Sequence, residues 1–247
     1  MVFVAGLPGT GKSLLIHQLA HLAAGAGRRV HLLQWDVARP AFEARAAARR
    51  YPIVDGVTHA MIRKAVGIWA RRELVDWNRR CPGPMHLLVG ETPLIGGRLV
   101  ELARPAADAA EPILAAPSCR FVIPVPSAEV RRFLEAERDR RTAQPAHPRE
   151  REDAPPQVLR DLWRELVDVA RALGIPVGSP EADVPYHPSV YRRVYEAVLR
   201  HRHVDVVDLK TVLPTAALSV YDFAVQCAEL VPRADQADAA VDRKSVV

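Results

Sequence analysis

Short apolar runs alternate along this chain with longer stretches whose apolar positions recur at helical spacing, and that alternation predicts strands separated by helices. Residues Val2–Ala5 (VFVA), 29–34 (RVHLLQ), 85–89 (MHLLV), 120–125 (RFVIPV) and 203–207 read as strands. Pro124 argues for the end of the fourth strand rather than its middle. Residues 14–24, 41–50, 57–77, 127–141, 157–173 and 189–201 read as helices, 98–103 begins another, and 222–230 reads as a final one. Gly25-Ala26-Gly27 and Gly174 stop two of these helices.

Strands that alternate with helices predict a mostly parallel sheet of about five strands with right-handed crossovers, its ligands at the carboxyl ends of the strands. The expected organisation is one α/β domain over residues 1–232. Within it, helices at 41–80 form a substrate-side cover, and 127–156 is a charged helix running into a proline-rich mobile loop. Residues 233–247 read as a polar, frayed tail. At 247 residues, 49% hydrophobic and 26% charged, the chain has the composition of a globular protein. No apolar stretch reaches the roughly 18–20 residues of a membrane span. The first strand begins almost at Met1, which leaves no room for a signal peptide and makes the cytoplasm the expected compartment. Cys81, Cys119 and Cys227 are scattered and lack C-x-x-C spacing, which indicates neither a disulfide framework nor a zinc cluster.

Between the first strand and first helix lies Gly6-Leu7-Pro8-Gly9-Thr10-Gly11-Lys12-Ser13, followed by Leu14. This fits the phosphate-binding P-loop pattern G-x-x-x-x-G-K-[ST] in the context the mechanism needs. Glycine-permitted backbone there turns N–H groups toward phosphate oxygens at a helix N-terminus. Lys12 is placed to reach the β- and γ-phosphates, and the Ser13 hydroxyl to bind Mg²⁺. Basic residues are otherwise nearly all arginine: only Lys12, Lys64, Lys210 and Lys244 are lysines. The net charge of +5 is spread among acidic residues without long like-charge blocks, which argues against a nucleic-acid partner.

On the P-loop, a strand-end acid and a charged helix, the chain resembles the P-loop kinase group. These are the nucleoside- and nucleotide-kinase-like phosphotransferases, with small antibiotic kinases and zeta-toxin-like enzymes among them. The resemblance implies a three-layer P-loop NTPase fold with a helical lid, and ATP and Mg²⁺ as ligands. It also implies transfer of the γ-phosphoryl group to a small-molecule acceptor. Asp36, in Gln34-Trp35-Asp36, occupies the strand-end place of the acid that orients or deprotonates the acceptor hydroxyl; the alternative is an ordinary cap on the following turn. Arg39 could steady an anionic acceptor, and Arg63 lies on the helix expected to line its pocket. Glu91, after Leu87-Leu88-Val89-Gly90, looks like a Walker B carboxylate on Mg²⁺, although aspartate is the usual residue there. Arg131, Arg138 and Arg141 share nearly one face of the lid helix; Arg138 and Arg141 are the leading candidates for a catalytic arginine, with Arg131 next. The competing reading is ion pairing to Glu135 and Glu137.

Other motifs carry less. His17 and His21 stand at i and i+4, but glutamine replaces the glutamate of a zinc-protease helix. No G-x-S-x-G elbow occurs, and no N-K-x-D tetrapeptide supports a GTPase. The second function class is a P-loop ATPase or nucleotide-dependent switch acting on a protein partner. The acceptor and the oligomeric state have no signature in this sequence.

Overall fold

The computed structural model describes residues 1–44, 49–54, 57–145, 147, 150, 156–178, 184–212, 219 and 225–241. Among them the chain runs β1 (Val2–Ala5), α1 (Lys12–Gly25), β2 (Arg29–Leu33), α2 (Trp35–Glu43), α3 (Ala60–Arg80) and β3 (His86–Thr92). A short 3-10 turn (Val100–Leu102) and α4 (Glu111–Leu114) lead to β4 (Arg120–Pro126), α5 (Ala128–Ala143), α6 (Pro156–Ala172) and α7 (Pro188–Val198). The chain ends with β5 (His203–Leu209), β6 (Cys227–Glu229) and α8 (Ala234–Val241). The strands form one sheet in the order β5-β4-β1-β3-β2-β6, and every pair is parallel.

The pleat sends alternate side chains to opposite faces, and each face has its own cover. Val4, Val30, Leu32 and Val89 pack with Ile16 and Ala20 of α1. Phe3, Leu33, Leu88 and Phe121 pack on the other face with Trp69 and Leu74 of α3, Leu166 of α6 and Tyr191 and Tyr195 of α7. Helices therefore flank the sheet on both sides, the three-layer arrangement that the strand–helix alternation predicts. Each of these large buried side chains contributes roughly 1.5–3 kcal/mol of transfer free energy. No helix of the described residues is long and apolar enough to cross a membrane.

The structure departs from expectation at several elements. The sheet has six strands rather than five, because Cys227–Glu229 pairs along Val30–Leu32 where a helix over 222–230 was expected. Pairing with the open edge of β2 outweighs a local helical preference; residues 222–224 lie outside the described residues. The expected helix at 98–103 is a loop containing only the short 3-10 turn. The helix expected at 41–50 begins earlier, at Trp35, carries Pro40 inside it and ends at Glu43; residues 45–48 of that stretch are outside the described residues. Pro124 sits within β4, not at its end. It is tolerated because β1 pairs with β4 only as far as Val122, so at Pro124 the strand has β5 alone as neighbour.

The expected tail is also partly ordered. α8 buries Ala237, Ala240 and Val241, a stripe at helical spacing, and Trp69 Nε1 donates to Gln236 Oε1 at 3.3 Å. Residues 242–247 lie outside the described residues. The mobile loop expected over 142–156 falls largely outside them too, but Glu150 is buried within it and accepts from Ser219 Oγ at 2.7 Å.

Candidate functional site

Strand order places β1 at the reversal point: β3 and β2 lie to one side of it, β4 and β5 to the other. In parallel sheets the crevice at such a point is where ligands bind. The Gly6–Ser13 loop leaves β1 there. Gly9 and Gly11 have φ of 71° and 84°, the left-handed region that glycine enters without cost. The loop's carbonyls are tied back by side chains: Thr10 Oγ1 and Lys12 Nζ each donate to Leu7 O at 2.8 Å. Arg131 from α5 donates to Pro8 O, also at 2.8 Å. Gly6 is packed so closely that an added Cβ would meet the Tyr191 hydroxyl at 2.4 Å. Helix α1 starts at Lys12, with Ser13 and Leu14 partly exposed in its first turn, so the positive end of the helix dipole lies at the loop.

Glu91 is inside β3 rather than beyond it, paired in register with Val4 of β1. No strand intervenes between the glycine loop and this acid, and Lys12 Nζ lies 3.2 Å from Glu91 Oε1. Burial lowers the Lys12 pKa, and the Glu91 carboxylate opposes that by favouring the ammonium.

Asp36 stands in the first turn of α2, immediately after β2, where the helix amides favour an acid. It remains accessible to solvent, yet the charges of Glu91, Arg39, Arg98 and Lys12 all act on it. Burial, seconded by the negative charge of Glu91, raises its pKa to about 6. A carboxyl poised there can exchange a proton near neutrality.

The remaining candidates divide. Arg39 acts on Asp36 but spends its hydrogen bond on Glu43 at 2.8 Å, and Thr58 holds the other oxygen of Glu43 at 2.7 Å. Arg63 lies against the loop after β3, where an added Cβ on Gly97 would meet its Nε at 3.5 Å. Arg138 is close enough for its charge to act on Lys12. Arg141 donates to Glu137 at 2.8 Å and to the buried Glu150 at 3.2 Å. Arg131 of α5 touches the glycine loop; it is 3% exposed, paired with Glu135 at 2.6 Å and 5.6 Å from the Tyr186 ring centre. Of the three, Arg131 touches the glycine loop, Arg138 lies within electrostatic reach of Lys12, and Arg141 bonds to Glu137 and Glu150.

Arg98 went unread in the sequence. Burial lowers its pKa while Asp36, Tyr195, Glu91 and Glu165 favour its charged form, which puts a guanidinium among the site's acids. The loop presenting it is strained: Leu94 and Leu99 have φ of 61° and 58°, and such non-glycine outliers collect at functional sites. Pro93 and the Gly96-Gly97 pair directly after a strand-end acid were the available signal.

No protein-family model matches this chain, and no curated protein does. What the arrangement can do follows from its chemistry alone. It combines a cationic loop and helix terminus suited to phosphate, hard oxygen donors on Ser13 and Glu91 suited to Mg²⁺, and the charges of Asp36 and Arg98 acting on each other beside them.

Proposed function

We propose that the protein is an ATP-dependent phosphotransferase that moves the γ-phosphoryl group to a hydroxyl or phosphate of a small molecule, working in the cytoplasm where ATP is plentiful. The observation that carries this reading is the convergence of Lys12, Glu91 and Asp36 at the ends of β1, β3 and β2, with the lysine ammonium 3.2 Å from the glutamate. Phosphoryl transfer asks for little covalent chemistry from the protein; positioning and charge stabilisation supply most of the rate. Lys12 and the loop amides would hold the phosphates, exchanging the carbonyl of Leu7 and the carboxylate of Glu91 for phosphate oxygens. Ser13 and Glu91 fit Mg²⁺, which when bound would neutralise charge between phosphate groups. Asp36 would align the acceptor and take its proton, Arg98 and Arg63 would hold the acceptor's anionic part, and Arg131 or Arg138 would offset charge developing on the transferred group.

The test is transfer of label from γ-labelled ATP into a metabolite extract and, separately, into macromolecules, with Lys12→Ala as control. Label in one small molecule supports the kinase reading and identifies the acceptor. Lys12-dependent phosphate release with no labelled acceptor would replace it with an ATPase or nucleotide-dependent switch acting on a partner.

A further inference from the structure

A second cluster of chemistry-bearing side chains lies away from the glycine loop. His31 of β2, His86 at the start of β3 and Cys81 at the C-cap of α3 come together with ligand-capable atoms all within 4.8 Å of one another. Strand alternation explains part of this: Val30 and Leu32 face α1, so His31 shares with Leu33 the face that α3 covers. The last turn of α3 then delivers Cys81, and the pairing of Arg29 with His86 aligns the two strands.

Two of the separations lie near those of ligands around one ion. His31 Nε2 lies 3.0 Å from His86 Nδ1 and 3.9 Å from Cys81 Sγ. A tetrahedral zinc ion, with bonds of about 2.0–2.1 Å to nitrogen and 2.3 Å to sulfur, sets its ligands roughly 3.4 Å apart for a nitrogen pair and 3.6 Å for nitrogen and sulfur. The two observed separations bracket those values within a rotamer adjustment.

We propose that His31, Cys81 and His86 bind a zinc-class divalent cation through two imidazole nitrogens and a thiolate, with solvent in the remaining position. Two imidazoles and one thiolate are a borderline-soft set that selects zinc over magnesium or calcium. The end of α3 adds a favourable field, because helix carbonyls at a C-terminus attract cations. Two arginines act on His31 by charge: Arg80, which pairs with Glu73, and Arg29 at the start of β2. Trp77 packs edge-on against the His31 ring at 5.5 Å and limits its rotation. On binding, the Cys81 thiol loses its proton to solvent as the metal–sulfur bond forms, so affinity rises with pH. The proposal is independent of the phosphotransferase reading.

The experiment titrates chelator-treated protein with Co²⁺ and Zn²⁺, reading the thiolate-to-cobalt charge-transfer band, the tetrahedral d–d bands, and zinc affinity against a chromophoric chelator. The expected result is one equivalent bound with both bands. Cys81→Ser should abolish the charge-transfer band and weaken zinc by more than the roughly 10–100-fold that loss of a mere outer-shell partner costs. His86→Gln, checked by circular dichroism to be folded, should weaken zinc comparably. His17→Ala, which breaks the other histidine pair with ring centres 4.6 Å apart, should leave binding unchanged. A missing band in the unaltered protein, or binding that survives Cys81→Ser and His86→Gln but falls with His17→Ala, overturns the proposal.

Discussion

The ammonium of Lys12, the first residue of α1, and the carboxylate of Glu91 on β3 lie 3.2 Å apart, so the basic residue of the glycine loop is already paired with an acid. The Glu91 carboxylate favours the ammonium of a lysine that is 5% exposed and opposes the desolvation that lowers its pKa. Lys12→Met is expected to lower turnover by about 10²–10³, the usual loss for one preorganised donor to developing charge. A double-mutant cycle with Glu91→Gln, read by thermal melting, should give a coupling of roughly 0.5–3 kcal/mol. Additive losses of stability would mean that the two charges do not depend on each other.

Asp36 supplies the pH dependence. Its pKa is raised to about 6 by burial and then by Glu91, so below that pH it is protonated and cannot accept a proton. Turnover should therefore climb as pH passes through about 6, and Asp36→Asn should lower it by roughly 10²–10⁴ while removing that limb. Because the folded pKa lies above the ordinary 3.8, whatever stability Asp36 contributes is present in full below 3.8 and lost as pH rises through about 6. Asp36→Asn should accordingly raise the melting temperature at pH 8 relative to its effect at pH 4. Glu91→Gln removes a negative neighbour and should move the Asp36 titration to lower pH, visible by carboxyl NMR; an unmoved titration would exclude their coupling.

On the phosphotransferase reading, the contacts of the α5 arginines set different expectations for Arg131 and Arg141. Arg131 donates to the Pro8 carbonyl, so Arg131→Met should loosen the glycine loop and weaken nucleotide binding as well as turnover. Arg141 holds Glu137 and Glu150, and Arg141→Met should lower the melting temperature with the Michaelis constant for nucleotide unchanged. Kinetics and melting curves on the two variants decide it: equal effects on nucleotide affinity would refute this division.

Much of this was legible in the sequence because it is local. The glycine loop needs a strand before it and a helix after it, and both are written in adjacent residues; the acids Asp36 and Glu91 follow apolar runs in the same way. What was not legible depends on distant pairing. β6 forms because the edge of β2 was open, and α8 orders because its short apolar stripe found α3. Arg98 reaches the site through a loop held by left-handed leucines, which no residue preference predicts. His31, Cys81 and His86 come from separate elements with no motif spacing, and only the fold brings them together.

A buried charge network ties the segments that precede β4 and β5 together. Arg202, its side chain wholly inaccessible, donates to the carbonyls of Leu102 at 2.8 Å and Arg104 at 2.9 Å and forks onto Glu111 at 2.7 Å and 3.1 Å. Arg71 reaches the same carboxylate at 2.9 Å. Burial by itself would raise the Glu111 pKa, but the hydrogen bonds from Arg202 and Arg71 outweigh it and hold it at about 2. The folded pKa thus lies below the ordinary 4.5, so the stability this acid contributes is complete above 4.5 and lost as pH falls toward 2. Arg202→Met takes the Arg202 donor from the carbonyls of Leu102 and His201 and from Glu111 Oε1, while Arg71 still donates to the Arg104 carbonyl and to Glu111 Oε2; it should cost about 3 kcal/mol, the lower end for breaking a buried pair. It should also raise the Glu111 pKa, moving the acid-unfolding midpoint to higher pH. Melting curves taken from pH 2 to pH 7 on both proteins test this, and a variant that is destabilised equally at every pH would show that packing, not charge, is what Arg202 supplies.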